Sequence, residues 1–215
     1  MARDVAAAVT LPERIRLFPL TNVVLFPDVY LPLHIFEARY RAMTRDALAG
    51  DTLIGMTVLR EGWQQDYDGA PPIYATGCAG TIVHHDALDD GRFNLILQGV
   101  SRFEVIEEVE AGTPYRVARV AWHPEPDGSG SRAALTRLRQ QVEALLMPAV
   151  ARGEVRLPQG MTDQALINAV CQALDIPTVE KLALLEKSDL QARGHALLPI
   201  LERLLIKLSG SGQIH

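Results

Sequence analysis

The spacing of apolar and polar positions divides the chain near residue 122. Before it, apart from one stretch at 36–48, apolar residues form short runs or alternate with polar ones; beyond it they recur every three or four residues. The first pattern predicts strands and the second helices. RIRLFPL, residues 14–20, is a predicted first strand, and Leu31-Pro32-Leu33 a second short extended piece. Pro19 and Pro27 have no N–H for a ladder, so they belong at strand ends or edges, with a turn around Asn22 between the two pieces. A residue before proline is pushed out of helical space, so the following helix starts only after Pro32. Residues 36–48 carry it: Tyr40, Met43, Ala47 and Leu48 share a face, Glu37 and Arg41 form an i,i+4 pair, and Gly50 closes the end.

From Leu53, LIGMTVL is apolar on both faces, as a central strand would be. A polar loop follows at residues 60–72, REGWQQDYDGAPP. GCAGTIVHH, RFNLILQG, RFEVIEEV and YRVARVAW then read as four strands, bounded by turn signals at 89–91, 99–101 and 111–114. Their short connections predict antiparallel neighbours. HPEPDGSG, residues 123–130, has linker composition and is expected to be exposed. Past it, Ser131, Thr162 and Thr178 are predicted caps, and Ser188-x-x-Gln191 a capping box. The second of these helices is apolar on almost every side, and the last, to about Leu208, contains Pro199, which predicts a kink or a break near Ala196. Strands followed by helices give an α+β protein: a β subdomain over 1–123, a linker over 124–130, a helical subdomain over 131–208 and a frayed tail over 209–215.

Composition narrows the function classes. A chain of 215 residues can bury roughly 70% of its unfolded surface, so it needs no staples. A net charge of −5 disfavours nucleic acid and anionic membranes as general partners. No apolar run reaches the ~18 residues of a membrane span, and the first residues lack a cleavage site, so a cytoplasmic location is expected. Cys78 and Cys171 are far apart, and two thiols make neither a Cys-rich metal site nor a secreted framework; buried small hydrophobes are expected.

Reaction centres are hard to build from these residues. No Gly-Lys pair exists for a phosphate loop, no Gly-x-Ser-x-Gly elbow and no Ser-x-x-Lys, and lysine occurs only at 181, 187 and 207. Residues 128–133 match GxGxxA formally, but two prolines separate them from the preceding strand. Alternation puts His84 and Asp86 on one strand face and His85 on the other, a poor metal set. The expectation is no catalytic residues, no metal and no cofactor.

The stretch LFPLTNVVLFPDVYLPLHIFEARYRAM, residues 17–43, closely resembles the start of the amino-terminal LON domain of Lon proteases. GTIVHHDALDDGRFNLILQGVSRFEVIEE resembles that domain's paired strands, and IPTVEKLALLEKSDLQARGHALLPILERLL its closing helices. The resemblance covers about residues 14–208. It implies a PUA-like six-stranded pseudo-β-barrel with one helix, followed by a C-terminal helical bundle. It further implies a stand-alone, non-enzymatic module that recognises peptides or unfolded segments as an adaptor. The alternative is RNA or nucleotide binding, which a basic groove near Arg39, Arg41 and Arg45 would support. For the partner surface the candidates are Trp63 and Tyr67, aromatic residues in a polar loop, with Tyr30, Glu37 and Arg39 nearby if the first two strands share an edge with it. Both loop aromatics otherwise fold back as a lid.

Overall fold

A computed structural model of the chain describes residues 11–66, 69–125, 132–153, 156, 158 and 160–211. Six strands come first: β1 (Arg14–Leu20), β2 (Tyr30–Ile35), β3 (Leu53–Val58), β4 (Thr76–Ala87), β5 (Phe93–Val109) and β6 (Val117–His123), with α1 (Ala38–Ala49) between β2 and β3. Four helices follow: α2 (Arg132–Ala151), α3 (Asp163–Ala173), α4 (Thr178–Leu185) and α5 (Leu190–Ser211). The strands form one sheet in the order β2-β5-β4-β3-β1-β6. Only β1 and β3 are parallel, and their crossover contains α1. This corrects the six-stranded pseudo-barrel: β5 also pairs with β6 and curls the sheet, but β2 is attached through β5 alone, and the sheet is not a closed barrel.

The two segments expected as separate strands at 92–99 and 102–109 are one strand, β5. Its first half lies between β2 and β4, and its second half pairs with β6. Gly99 is there for closeness rather than for a turn. The 26–29 segment crosses β5 at this point, Asp28 N–H donating to Gly99 O and Gly99 N–H to Val29 O, each at 2.9 Å. A Cβ at Gly99 would lie 2.0 Å from Phe26 O.

One hydrophobic cluster runs from Phe18, Phe26, Met43 and Leu97 of the strand half to Leu138, Ile167, Leu182 and Leu197 of the helices; a smaller one, with Phe103 and Trp122, lies on the other side of the sheet. The helices are also tied to the strands by polar groups. Along one face of α3, Gln164 donates to the Asp28 carboxylate, Asn168 to Pro27 O and Gln172 to Tyr30 O, while Phe26 N–H donates back to Gln172. Beside them Arg193, wholly buried, donates to Leu184 O, Asn168 Oδ1 and Glu125 Oε1 at 3.1, 2.7 and 2.6 Å. Arg102 of β5 donates to Leu185 O, Lys187 O and Ser188 O, and its Nε is 3.4 Å from the same Glu125 oxygen. Burial lowers the pKa of Arg102, the neighbouring Glu125 opposing it.

Several local expectations are corrected. Glu125, read as exposed linker, has a buried carboxylate because two arginines converge on it; residues 126–131 are outside the described set. Thr162 caps α3 as expected, accepting from Ala165 N–H at 3.1 Å. The cap of α5 is Asp189, not Ser188: its carboxylate accepts from Ala192 N–H at 2.8 Å. Pro177 rather than Thr178 occupies the N-cap of α4. α5 runs without a break through Pro199, and Pro148 lies inside α2. Residues 1–10 and 212–215, on which the leader expectation and most of the tail expectation fall, are likewise not described, and α5 continues through residues 209–211 of the expected frayed tail. Among the described residues no helix is long and apolar enough to cross a membrane.

Candidate functional site

The C-terminal ends of β1, β2 and β3 and the first turn of α1 surround a pocket of about 280 Å³. Phe18, Leu20, Leu33, Ile35, Tyr40 and Leu59 form its apolar walls, and Trp63, Phe36, His34 and Glu37 its mouth. Each element delivers its side chain for a local reason. Pro19 occupies the end of β1, and Leu59 N–H donates to Leu20 O just beyond β3, holding the two strand ends together. Glu37 takes an extended backbone (φ −66°, ψ 137°) and the helix begins at Ala38, two residues later than the sequence pattern suggests. Phe36 therefore stays outside the helix, at 61% exposure, with its ring stacked 6.2 Å from His34.

The loop at 60–72 is anchored at its base. Arg60 N–H donates to Pro72 O, Tyr74 N–H to Val58 O, and the Arg60 guanidinium lies 5.1 Å from the Tyr74 ring. Gly62, at φ +85°, makes the reversal that starts a short 3-10 helix, Trp63–Asp66. That turn presents half-buried Trp63 to the pocket.

Glu37 and Arg39 meet, but not as the sequence spacing implied. Glu37 precedes the helix; Arg41 meets it through the backbone, its N–H donating to Glu37 O at 2.9 Å, while Arg39 Nε and Nη2 both approach Glu37 Oε2 at 3.0 Å. The Arg39 guanidinium also lies 4.7 Å from the Tyr40 ring centroid. Arg39 and the far side of Tyr40 line a second recess of about 100 Å³ with Pro71, Tyr115 and Arg116. Arg41 points elsewhere, donating to Asp90 O, and Arg45 rests over Phe93. The three arginines do not share a groove, and RNA binding finds no support here.

Of the proposed contact residues, the structure thus gathers Glu37, Arg39 and Trp63. Tyr30, 58% exposed, is at the opposite end of β2 and lines a different groove with Asp28, Gln98 and Thr162. Tyr67 is outside the described residues. Sequence reasoning missed Phe18, His34, Phe36 and Tyr40. Their signal was present as an aromatic at every few positions between 18 and 40, but only strand pairing shows that they face one cavity.

Cys78 and Cys171 are buried and free. Burial pushes both thiols up, Cys171 to about 12, which suppresses the thiolate. His84 and Asp86 do share a face, 3.3 Å apart and exposed. Glu107 and Glu108 are exposed and pair with Arg119 and Arg116.

Comparison with known proteins agrees with this architecture. The profile of the ATP-dependent protease La (LON) substrate-binding domain matches residues 14–203. Lon protease 2 of Myxococcus xanthus is 31% identical over 208 residues, 93% of this chain but 25% of the relative; the Lon protease of Phenylobacterium zucineum is 34% identical over 86% of this chain and 24% of its own length. The chain spans about a quarter of the length of these relatives. A Lon N-terminal domain protein from Xanthomonas campestris superimposes with a TM-score of 0.62 at 26% identity, covering 86% of this chain and 97% of that one. The N-terminal domain of the Mycobacterium avium complex Lon protease has a TM-score of 0.66 at 16% identity, covering 88% and 98%, a likeness of fold.

Proposed function

The chain belongs to the LON substrate-binding domain family, and on that premise we propose that it recognises protein clients, binding peptide or unfolded segments at the Trp63 pocket. The observation that carries the reading is the pocket itself. Its aromatic walls open to solvent beside half-buried Trp63 and Phe36, the latter 61% exposed, a large apolar group that a folded surface ordinarily withholds. Aromatic side chains provide much contact area at low rotamer cost, and a client without stable structure offers its side chains for such contact. Handing a bound client on to a protease, as an adaptor does, extends this reading, since the relatives matched are themselves Lon proteases.

Trp63 supplies the test. With Trp122→Phe in place, Trp63 is the only tryptophan emitter. Adding an unfolded, tryptophan-free client is expected to shift its emission to the blue, and Trp63→Ala is expected to weaken client binding at least tenfold. Emission unchanged by client, with binding intact in Trp63→Ala, would remove the pocket from the function.

A further inference from the structure

We propose that the pocket takes the side chain of a lysine or arginine from the client, and that Arg39 occupies the Glu37 carboxylate until it arrives. The proposal rests on the reading of this pocket as a client site and specifies what it selects. Three observations lead to it. First, aromatic ring faces carry a negative quadrupole that attracts cations, and Phe18, Phe36, Tyr40 and Trp63 all line this pocket. Second, the acidic side chain of Glu37 lines it, while no lysine or arginine does so among the described residues. Leu33 and Leu59 supply apolar surface for the methylene stem, and a long basic side chain buries its stem while its head stays polar. The volume, about 280 Å³, falls below the ~300–1,000 Å³ of pockets for drug-sized ligands and suits a single side chain.

Third, the protein already performs this recognition on itself. The Arg39 guanidinium contacts Glu37 Oε2 at 3.0 Å and lies 4.7 Å from the Tyr40 ring centroid, so one carboxylate and one aromatic ring jointly hold a cation. Arg39 reaches them from the side of the second recess, and Tyr40 lines both cavities. An incoming basic side chain therefore exchanges with Arg39 for Glu37, and the carboxylate is paired before and after. Such an exchange keeps affinity modest and favours release. The net charge of −5 adds attraction for basic segments at long range.

The experiment titrates two flexible, tryptophan-free peptides into Trp122→Phe protein, read by Trp63 emission. They are identical except for a central lysine or its uncharged analogue norleucine. The lysine peptide is expected to bind more tightly. Glu37→Gln should erase that preference, while Arg39→Gln should increase lysine affinity about two- to fivefold by removing the internal competitor, the worth of an exposed ion pair. A purely structural Glu37–Arg39 pair would make both variants weaker together, so the opposite signs are the signature. Norleucine binding as well as lysine, or Arg39→Gln weakening lysine binding, overturns the basic side chain and leaves the client site standing. An unfolded client that shifts Trp63 while both peptides fail has the same meaning. If neither client nor peptides bind at Trp63, both readings fall.

Discussion

Two places in this molecule combine an arginine, a glutamate and an aromatic ring, and they differ chiefly in burial. At the strand–helix junction, Arg193 is 0% and Glu125 9% exposed, 2.6 Å apart, with the guanidinium 5.8 Å from the Phe26 ring. At the pocket, Arg39 is 23% and Glu37 26% exposed, 3.0 Å apart, with the guanidinium over Tyr40. In the first, Arg193 also binds Leu184 O and Asn168. A buried charge loses its hydration, so every neighbour must be in place and the group acts as a structural bolt. In the second, water compensates a lost partner, so the pair can open at small cost and its groups remain available to a ligand. The same chemistry is mechanical in one site and exchangeable in the other.

The sharpest way to break this comparison is the same substitution at both arginines. Arg193→Met leaves Glu125 and Asn168 buried without their donor and is expected to cost about 3–5 kcal/mol. Arg39→Met is expected to cost less than ~1 kcal/mol. Urea unfolding followed by circular dichroism measures both, and equal losses would end the distinction. Next in size is Asn168→Ala, which removes the link from Pro27 O to Arg193. It should cost about 1–3 kcal/mol, the penalty for buried groups left unpaired, and hydrogen exchange should rise in both α3 and the 26–30 segment if the junction is one unit. Exchange rising in α3 alone would confine its role to the helix.

Asp189 gives a pH-dependent handle on the junction side, since it caps the helix that carries Arg193. Its carboxyl is held below the usual range, first by the Ala192 N–H and then by Ser188 and others. A depressed carboxylate pKa contributes stability that is complete above its ordinary value of about 4 and fades as pH falls through the lowered one. Asp189→Ala is therefore expected to lose about 1 kcal/mol at neutral pH and progressively less below pH 4, as the cap of the native protein protonates. A loss that does not shrink in acid would show that the cap charge plays no part. The smallest effect belongs to Glu37→Gln, a few tenths of a kcal/mol in stability. Its midpoint in urea should barely move even as its peptide preference changes. A large loss would make Glu37 structural, like Glu125.

The contrast also separates what was legible in the sequence from what was not. Apolar periodicity located α1, the antiparallel run of β4, β5 and β6 and the change from strands to helices, and the motifs in 17–43 pointed to the family. Local burial imprints a local period, so one dimension suffices for those features. Trp63 stood out as a candidate because an aromatic in a polar loop is visible in isolation, whereas Glu37 and Arg39 entered only through an assumed adjacency of the first helical turn to that loop. Gly99 misled, since glycine signals both turns and close crossings and only the passage of Phe26 over β5 distinguishes them. Glu125 misled for a related reason. Its neighbours have linker composition, yet Arg102 from β5 and Arg193 from α5 are 23 and 68 residues away and meet it only in three dimensions. The polar stripe Gln164, Asn168 and Gln172 was hidden among the apolar residues of α3, because nothing nearby in the chain announces a backbone to be read. Sequence alone determined the family, most of the elements and the order of strands before helices. Tertiary structure decided which charges are buried and which aromatic residues share a cavity, because desolvation depends on neighbours that chain connectivity does not specify.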